Sequence, residues 1–132
     1  MKKLVFILII GLISCDDSVS PISEKSGLTG SWIWLKSTGG IDGRTETPLS
    51  TGESILIEIT NSRFKKYVNG SLTEDFEYSI GQGQSIYQTE EAQIITLGNG
   101  WKQSFSVDES SLVLKDECYD CFQHEFKRDN QD

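Results

Sequence analysis

The chain has a single histidine, two prolines and one methionine in 132 residues. One histidine narrows the chemistry, because most hydrolase and metal sites recruit several. A catalytic role for His124 needs a nucleophile and an orienting acid, and no motif in the sequence locates them. His124 alternates with Phe122 and Phe126, so it reads as a structural histidine. There is no P-loop, no GxGxxG and no basic stripe. The formal net charge is −8, and it becomes more negative if Lys2 and Lys3 leave with a leader. A chain this acidic repels nucleic acid and anionic membrane faces. No apolar run reaches the roughly 20 residues that span a bilayer. No stretch repeats with a helical period either.

What is present begins with a leader. Met1, Lys2 and Lys3 are positive at the start, and residues 4–13 are almost all Leu, Ile, Val and Phe. That is the size of a signal-peptide apolar region. The run ends at Leu12-Ile13-Ser14-Cys15, which resembles the bacterial lipobox. Residues 1–14 are therefore expected to be a lipoprotein signal peptide, with Cys15 lipidated and made the mature N-terminus. One acyl chain holds a membrane marginally, at ~0.8 kcal/mol per buried methylene, whereas two or three anchor it stably. Residues 15–27, "CDDSVSPISEKSG", read as a polar tether. Asp16 and Asp17 fit two sorting outcomes, inner-membrane retention or surface export. The expected address is the cell envelope, lipid-anchored, at the outer membrane on its periplasmic or surface side.

From residue 28 onward the chain is a series of short alternating runs punctuated by Gly, Asn, Asp and Ser, which predicts strands. Trp32 and Trp34 share one face of the first run, and Ile33 and Leu35 the other. "STGGIDGRTETPLSTGE" then reads as a long surface loop. Ile55, Ile57 and Ile59 mark the next strand, and Phe64 to Val68 another. Asn69-Gly70 is a strong hairpin signal. Leu72, Phe76, Tyr78 and Ile80 alternate with polar residues until "GQGQ" breaks the run. Residues 85–89 and 92–97 read as a further pair, and Asn99-Gly100 as the next hairpin. Runs around Trp101, Phe105 and Val107, around Leu112 and Leu114, and around Phe122 to Phe126 complete the chain. Short links make neighbours pair in order. A meander this long is expected to close, because closure removes exposed edges. The predicted fold is all-β: an antiparallel up-and-down meander closed into a barrel of about eight strands over residues 28–132.

Gly30-x-Trp32 opens the first strand, and "HEFKR" with Arg128 ends the last. This arrangement resembles lipocalin-like proteins, and the chain is similar to small lipocalin-like lipoproteins of Bacteroidota. The resemblance implies that the Arg128 guanidinium stacks on the Trp32 indole and closes the barrel floor. It also implies a non-enzymatic binder of a small hydrophobic ligand, without a cofactor. The domain is short and shows no helix after its last strand, so the barrel is either filled by its own side chains or left with a small cavity. The ligand-binding candidates are Glu74, Phe76, Tyr78, Trp101 and Phe105, with Glu74 placed to meet a polar head at the mouth.

Cys118 and Cys121 form C-x-x-C three residues before His124. In an envelope compartment this reads as a local disulfide. A thiol redox pair, a metal site with His124, and two free thiols are the alternatives. Three functions compete. One is the lipid-anchored binder, held at the membrane through Cys15. The second is a filled-barrel accessory lipoprotein that binds an envelope protein partner through its loops. The third is an enzyme, for which no catalytic set is visible.

Overall fold

A computed structural model describes residues 27–130. The expected signal peptide, Cys15 and most of the tether lie outside the described residues. Nine strands are present among those described: β1 (Gly30–Gly39), β2 (Arg44–Glu46), β3 (Ile55–Ile59), β4 (Arg63–Val68), β5 (Ser71–Gln84), β6 (Glu91–Leu97), β7 (Lys102–Val107), β8 (Ser111–Asp116) and β9 (Phe122–Arg128). A one-turn helix, α1 (Pro48–Thr51), lies between β2 and β3. Each barrel strand pairs antiparallel with the next, and β9 pairs back onto β1. The result is a closed barrel of eight strands, with β2 attached outside the ring to the end of β1.

The chain closes because its turns are short and its strands carry apolar residues at every second position. Ile55, Ile57 and Ile59 point inward from β3, as their β-branched spacing predicts. Asn69 and Gly70 both take positive φ, at 50° and 82°, which gives the twist that a two-residue hairpin needs. The lower half of the barrel is solid. Leu28, Trp32, Ile59, Ile95, Leu112 and Leu114 are essentially inaccessible to solvent and fill it. Outside, Arg63–Asp75 at 2.9 Å and Lys36–Glu125 at 3.0 Å bridge neighbouring strands. Exposed pairs of this kind contribute about 0–1 kcal/mol each, so they set register more than stability.

Two bulges reset which residues face inward. Trp34 lies opposite Phe126 and Lys36 opposite Glu125, which leaves Leu35 unpaired and bulged out. The parity of β1 therefore flips: Trp32 and Trp34 face in, and so does Ser37. On β5, Glu74 lies opposite Lys66 and Leu72 opposite Tyr67, so Thr73 is the extra residue. Its hydroxyl donates to the Lys66 carbonyl at 3.1 Å. Leu72 is thereby turned outward and is half exposed, instead of sharing the inner face with Phe76 and Tyr78.

Three readings of the sequence are corrected here. "GQGQ" does not break β5, which runs through it and pairs Gly81 with Ile94 and Gly83 with Ala92. Residues 85–89 are not a strand. They form a connection tied to the end of β8, with Ser85 Oγ donating to Glu117 Oε1 at 2.7 Å and Tyr87 Oη donating to the Asp116 carbonyl at 2.6 Å. The long glycine-rich connection is exposed as expected, but it holds β2 and α1. Thr47 caps α1 by accepting the Ser50 N–H, and Ser50 Oγ accepts the Thr47 N–H in return.

Candidate functional site

The upper half of the barrel is hollow. At the end where β1 finishes and β3 begins, a cavity of about 410 Å³ opens to solvent. Ligand pockets run from about 300 to 1,000 Å³, so this one suits a small molecule. Its floor is apolar: Trp34, Ile57, Phe64, Leu97, Leu114 and Phe126 line it. Its collar is polar: Ser37, Glu46, Glu53, Lys66, Glu74, Asn99, Gln103, Asp116 and His124, with the Trp101 ring among them.

The collar is built on one chain of hydrogen bonds. Trp34 Nε1 donates to Ser37 Oγ at 2.8 Å. Ser37 Oγ lies 2.6 Å from His124 Nδ1. His124 Nε2 lies 3.1 Å from Asp116 Oδ2. Asp116 Oδ1 then accepts from Gln103 Nε2 at 2.8 Å and from Trp101 Nε1 at 3.3 Å. The Asp116 carboxylate only accepts, so a neutral ring must present an N–H at Nε2, which leaves Nδ1 to accept the Ser37 hydroxyl proton. A neutral His124 is then protonated on Nε2 and donates to Asp116. Every group from Trp34 to Asp116 is satisfied by that one arrangement.

Asp116 is buried, and burial by itself pushes its pKa up. The hydrogen bonds from His124 and Gln103, the charge of His124 and the bond from Trp101 outweigh that, so the carboxyl ends below the ordinary aspartate value. Glu117 beside it is also held low, against the effect of burial, by the Ile86 N–H and the hydroxyls of Ser104 and Ser85. Gln103 is 7% exposed, and its Oε1 is a buried oxygen with no hydrogen-bond partner among the described residues. The amide cannot be reversed to relieve this, because that would set oxygen against the Asp116 carboxylate.

Of the ligand-binding candidates, Glu74 and Trp101 line the cavity. Tyr78 and Phe105 are buried in the core, and Phe76 packs against it. Tyr78 Oη donates to the Thr60 carbonyl at the opposite end of β3. Arg128 lies with its guanidinium carbon 4.1 Å from the Trp32 ring centroid, and its Nη1, Nη2 and Nε donate to the carbonyls of Thr29, Gly27 and Glu109. Cys118 and Cys121 form a disulfide in the β8–β9 connection, between Asp116 and His124.

The sequence reading missed Ser37, Asp116 and Gln103 as site residues. Ser37 and Asp116 are the hydroxyl and acid that His124 lacked, and they arrive with opposite sides of the ring engaged. Ser37 is 4% exposed and its oxygen accepts the Trp34 N–H, so the arrangement works as a brace for the cavity wall.

The fold and its cavity define a closed antiparallel β-barrel with a side-chain-lined cup at one end. No family model matches the chain, and no curated protein matches it. Among solved structures, a de novo designed fluorescence-activating β-barrel matches with a TM-score of 0.40 and 19% identity, over 80% of this chain and 96% of that one.

Proposed function

We propose that this chain is a lipid-anchored cell-envelope protein of lipocalin-like type, tethered through Cys15, whose barrel binds a small ligand with an apolar body. One observation carries the binding reading: the barrel core is complete below, yet about 410 Å³ is left above it between an apolar floor and a polar collar. A barrel of eight strands is just wide enough to be filled by its own side chains or to hold one small ligand. Here Trp32 and its aliphatic neighbours fill the lower half, and the upper half is braced open by the Trp34–Ser37–His124–Asp116 chain. Binding would be passive: burial of the apolar body on Trp34, Phe64 and Phe126, with orientation set by the collar.

Native mass spectrometry of the protein drawn gently from an envelope extract tests this. The expected result is a reproducible added mass that is lost on denaturation. A bare mass, together with no uptake of a hydrophobic dye, would overturn it. Labelling with radioactive palmitate tests the anchor, and the label should vanish in Cys15→Ala.

A specific observation favours a second reading, docking of an envelope protein on the loops around the mouth. Ile41, Leu49 and Tyr119 stand 92%, 95% and 84% exposed on connections at that end. Crosslinking from Leu49 in the envelope should then trap a partner, and Leu49→Ser should release it.

A further inference from the structure

The charges around the cup are unequal. Glu46, Glu53, Glu74 and Asp116 line it, against Lys66 as its one lysine or arginine. Two of the carboxylates are matched locally. Glu46 Oε1 lies 2.9 Å from Arg44 Nε, and Glu74 Oε1 lies 3.6 Å from Lys66 Nζ. The other two are not. Glu53 has no ion-pair partner among the described residues, and Asp116 has only His124, which is charged only when protonated. Asp116 is 6% exposed, so its charge is poorly screened by water.

A second observation points the same way. Gln103 Oε1 is an acceptor without a donor, on a side chain more than nine-tenths buried and pointing inward from β7. A buried acceptor left unpaired costs free energy that a bound N–H would recover. Trp101 borders the same space with its ring, and an indole face attracts an organic cation.

We propose that the cup takes a small organic ammonium: its N–H donates to Gln103 Oε1, which turns toward the cup to accept it, its charge is met by Glu53 and Asp116, and its apolar body rests on Trp34 and Phe126. This rests on the reading of the cup as a ligand site, and it names the class of ligand.

Calorimetry with the full-length protein and four probes of one shape tests it. The probes are phenethylammonium, its trimethylated counterpart, phenethyl alcohol and hydrocinnamate. Phenethylammonium should bind about tenfold tighter than the alcohol, as one charge pair at partial screening predicts. Hydrocinnamate should bind more weakly still, because the collar repels a carboxylate. The trimethylated cation should also be weaker, since it has no N–H for Gln103. Glu53→Gln, an exposed change that leaves the core intact, should weaken phenethylammonium about threefold more than it weakens the alcohol. Equal binding of all four probes would leave the cup a ligand site and overturn the ammonium assignment, as would a preference for hydrocinnamate or full binding of the trimethylated cation. No binding of any probe, with no uptake of a hydrophobic dye, would overturn both readings.

Discussion

Arg128 stacks on Trp32 across the seam where the first and last barrel strands meet. The guanidinium carbon lies 4.1 Å from the ring centroid, and the two residues are direct partners in the β1–β9 ladder. The same guanidinium gathers three backbone carbonyls, from Gly27, Thr29 and Glu109. It ties the chain entering the barrel and the β7–β8 turn to the end of β9. Arg128→Ala removes the stack and the three hydrogen bonds to those carbonyls, so it should cost roughly 3 kcal/mol. Arg128→Lys keeps the charge but not the planar fork, and should recover less than half. Urea unfolding midpoints measure both.

Gly30 makes that stack fit. Its φ is 142°, and a Cβ there would lie 2.5 Å from Arg128 Nη1. Gly30→Ala should therefore destabilise the protein by about 2 kcal/mol through strain and displacement of the guanidinium. In an Arg128→Ala background the steric part disappears, so the two losses should fall short of additive. Additive losses in the double-mutant cycle would refute the coupling.

The hydrogen-bond chain from Trp34 to Asp116 fixes the tautomer of His124. Neutral His124 should carry its proton on Nε2, because Nδ1 accepts from Ser37 and Nε2 faces a carboxylate. Long-range proton–nitrogen correlation at neutral pH reads this directly, and an Nδ1-protonated ring would contradict the assignment. Ser37→Ala orphans the buried Trp34 N–H and the ring nitrogen together, and should cost about 2 kcal/mol.

The meander was legible because its signals are local. Asn69-Gly70 dictates its own turn, and the isoleucines of β3 alternate without interruption. The cup was not legible, because it depends on two bulges. Strict alternation puts Ser37 on the outer face with Ile33 and Leu35, and only the bulge at Leu35 brings it round to His124, 87 residues away. Thr73 does the same to Leu72. Glycines misled in the other direction. Gly81 and Gly83 look like breakers, yet their backbones pair with β6 across the full ladder. Residues 85–89 alternate like a strand, but Glu117 takes their donors, and nothing local announces a partner 31 residues away.

The disulfide closes a very short loop, with a sequence separation of 3. Its chain-entropy contribution is correspondingly small, about 1–2 kcal/mol. Its place matters more, since the connection it pins joins Asp116 to His124 and its Cys121 carbonyl accepts the Gly40 N–H at 3.3 Å. Paired Cys118→Ser and Cys121→Ser should lower the melting temperature by roughly 4–10 °C. Amide exchange should quicken at residues 117–121, while the strands of the lower barrel stay protected. Loss of protection throughout would mean that the disulfide holds the fold rather than the collar.

Acid should weaken the fold through three carboxyls. Asp116 and Glu117 are both held below their ordinary values by donors that only the folded chain supplies, and Asp108 is lowered to about 2 by the Ser110 N–H and the Ser111 hydroxyl and N–H. A carboxyl that ionises more readily when folded stabilises the fold in its deprotonated form. That contribution is complete above the ordinary values, 3.8 for the two aspartates and 4.5 for Glu117, and is lost as pH falls through the lower folded values. Unfolding free energy should hold level down to about pH 5 and then decline. Asp116→Asn should weaken the protein by roughly 2 kcal/mol at neutral pH, because Asn keeps one acceptor oxygen: if that oxygen takes the Gln103 and Trp101 bonds, its NH2 faces His124 Nε2. Its acid limb should also be shallower than the wild type's, since one of the titrating groups has gone. Parallel limbs in the two proteins would mean that Asp116 takes no part in the acid transition, and the loss would then belong to Asp108 and Glu117.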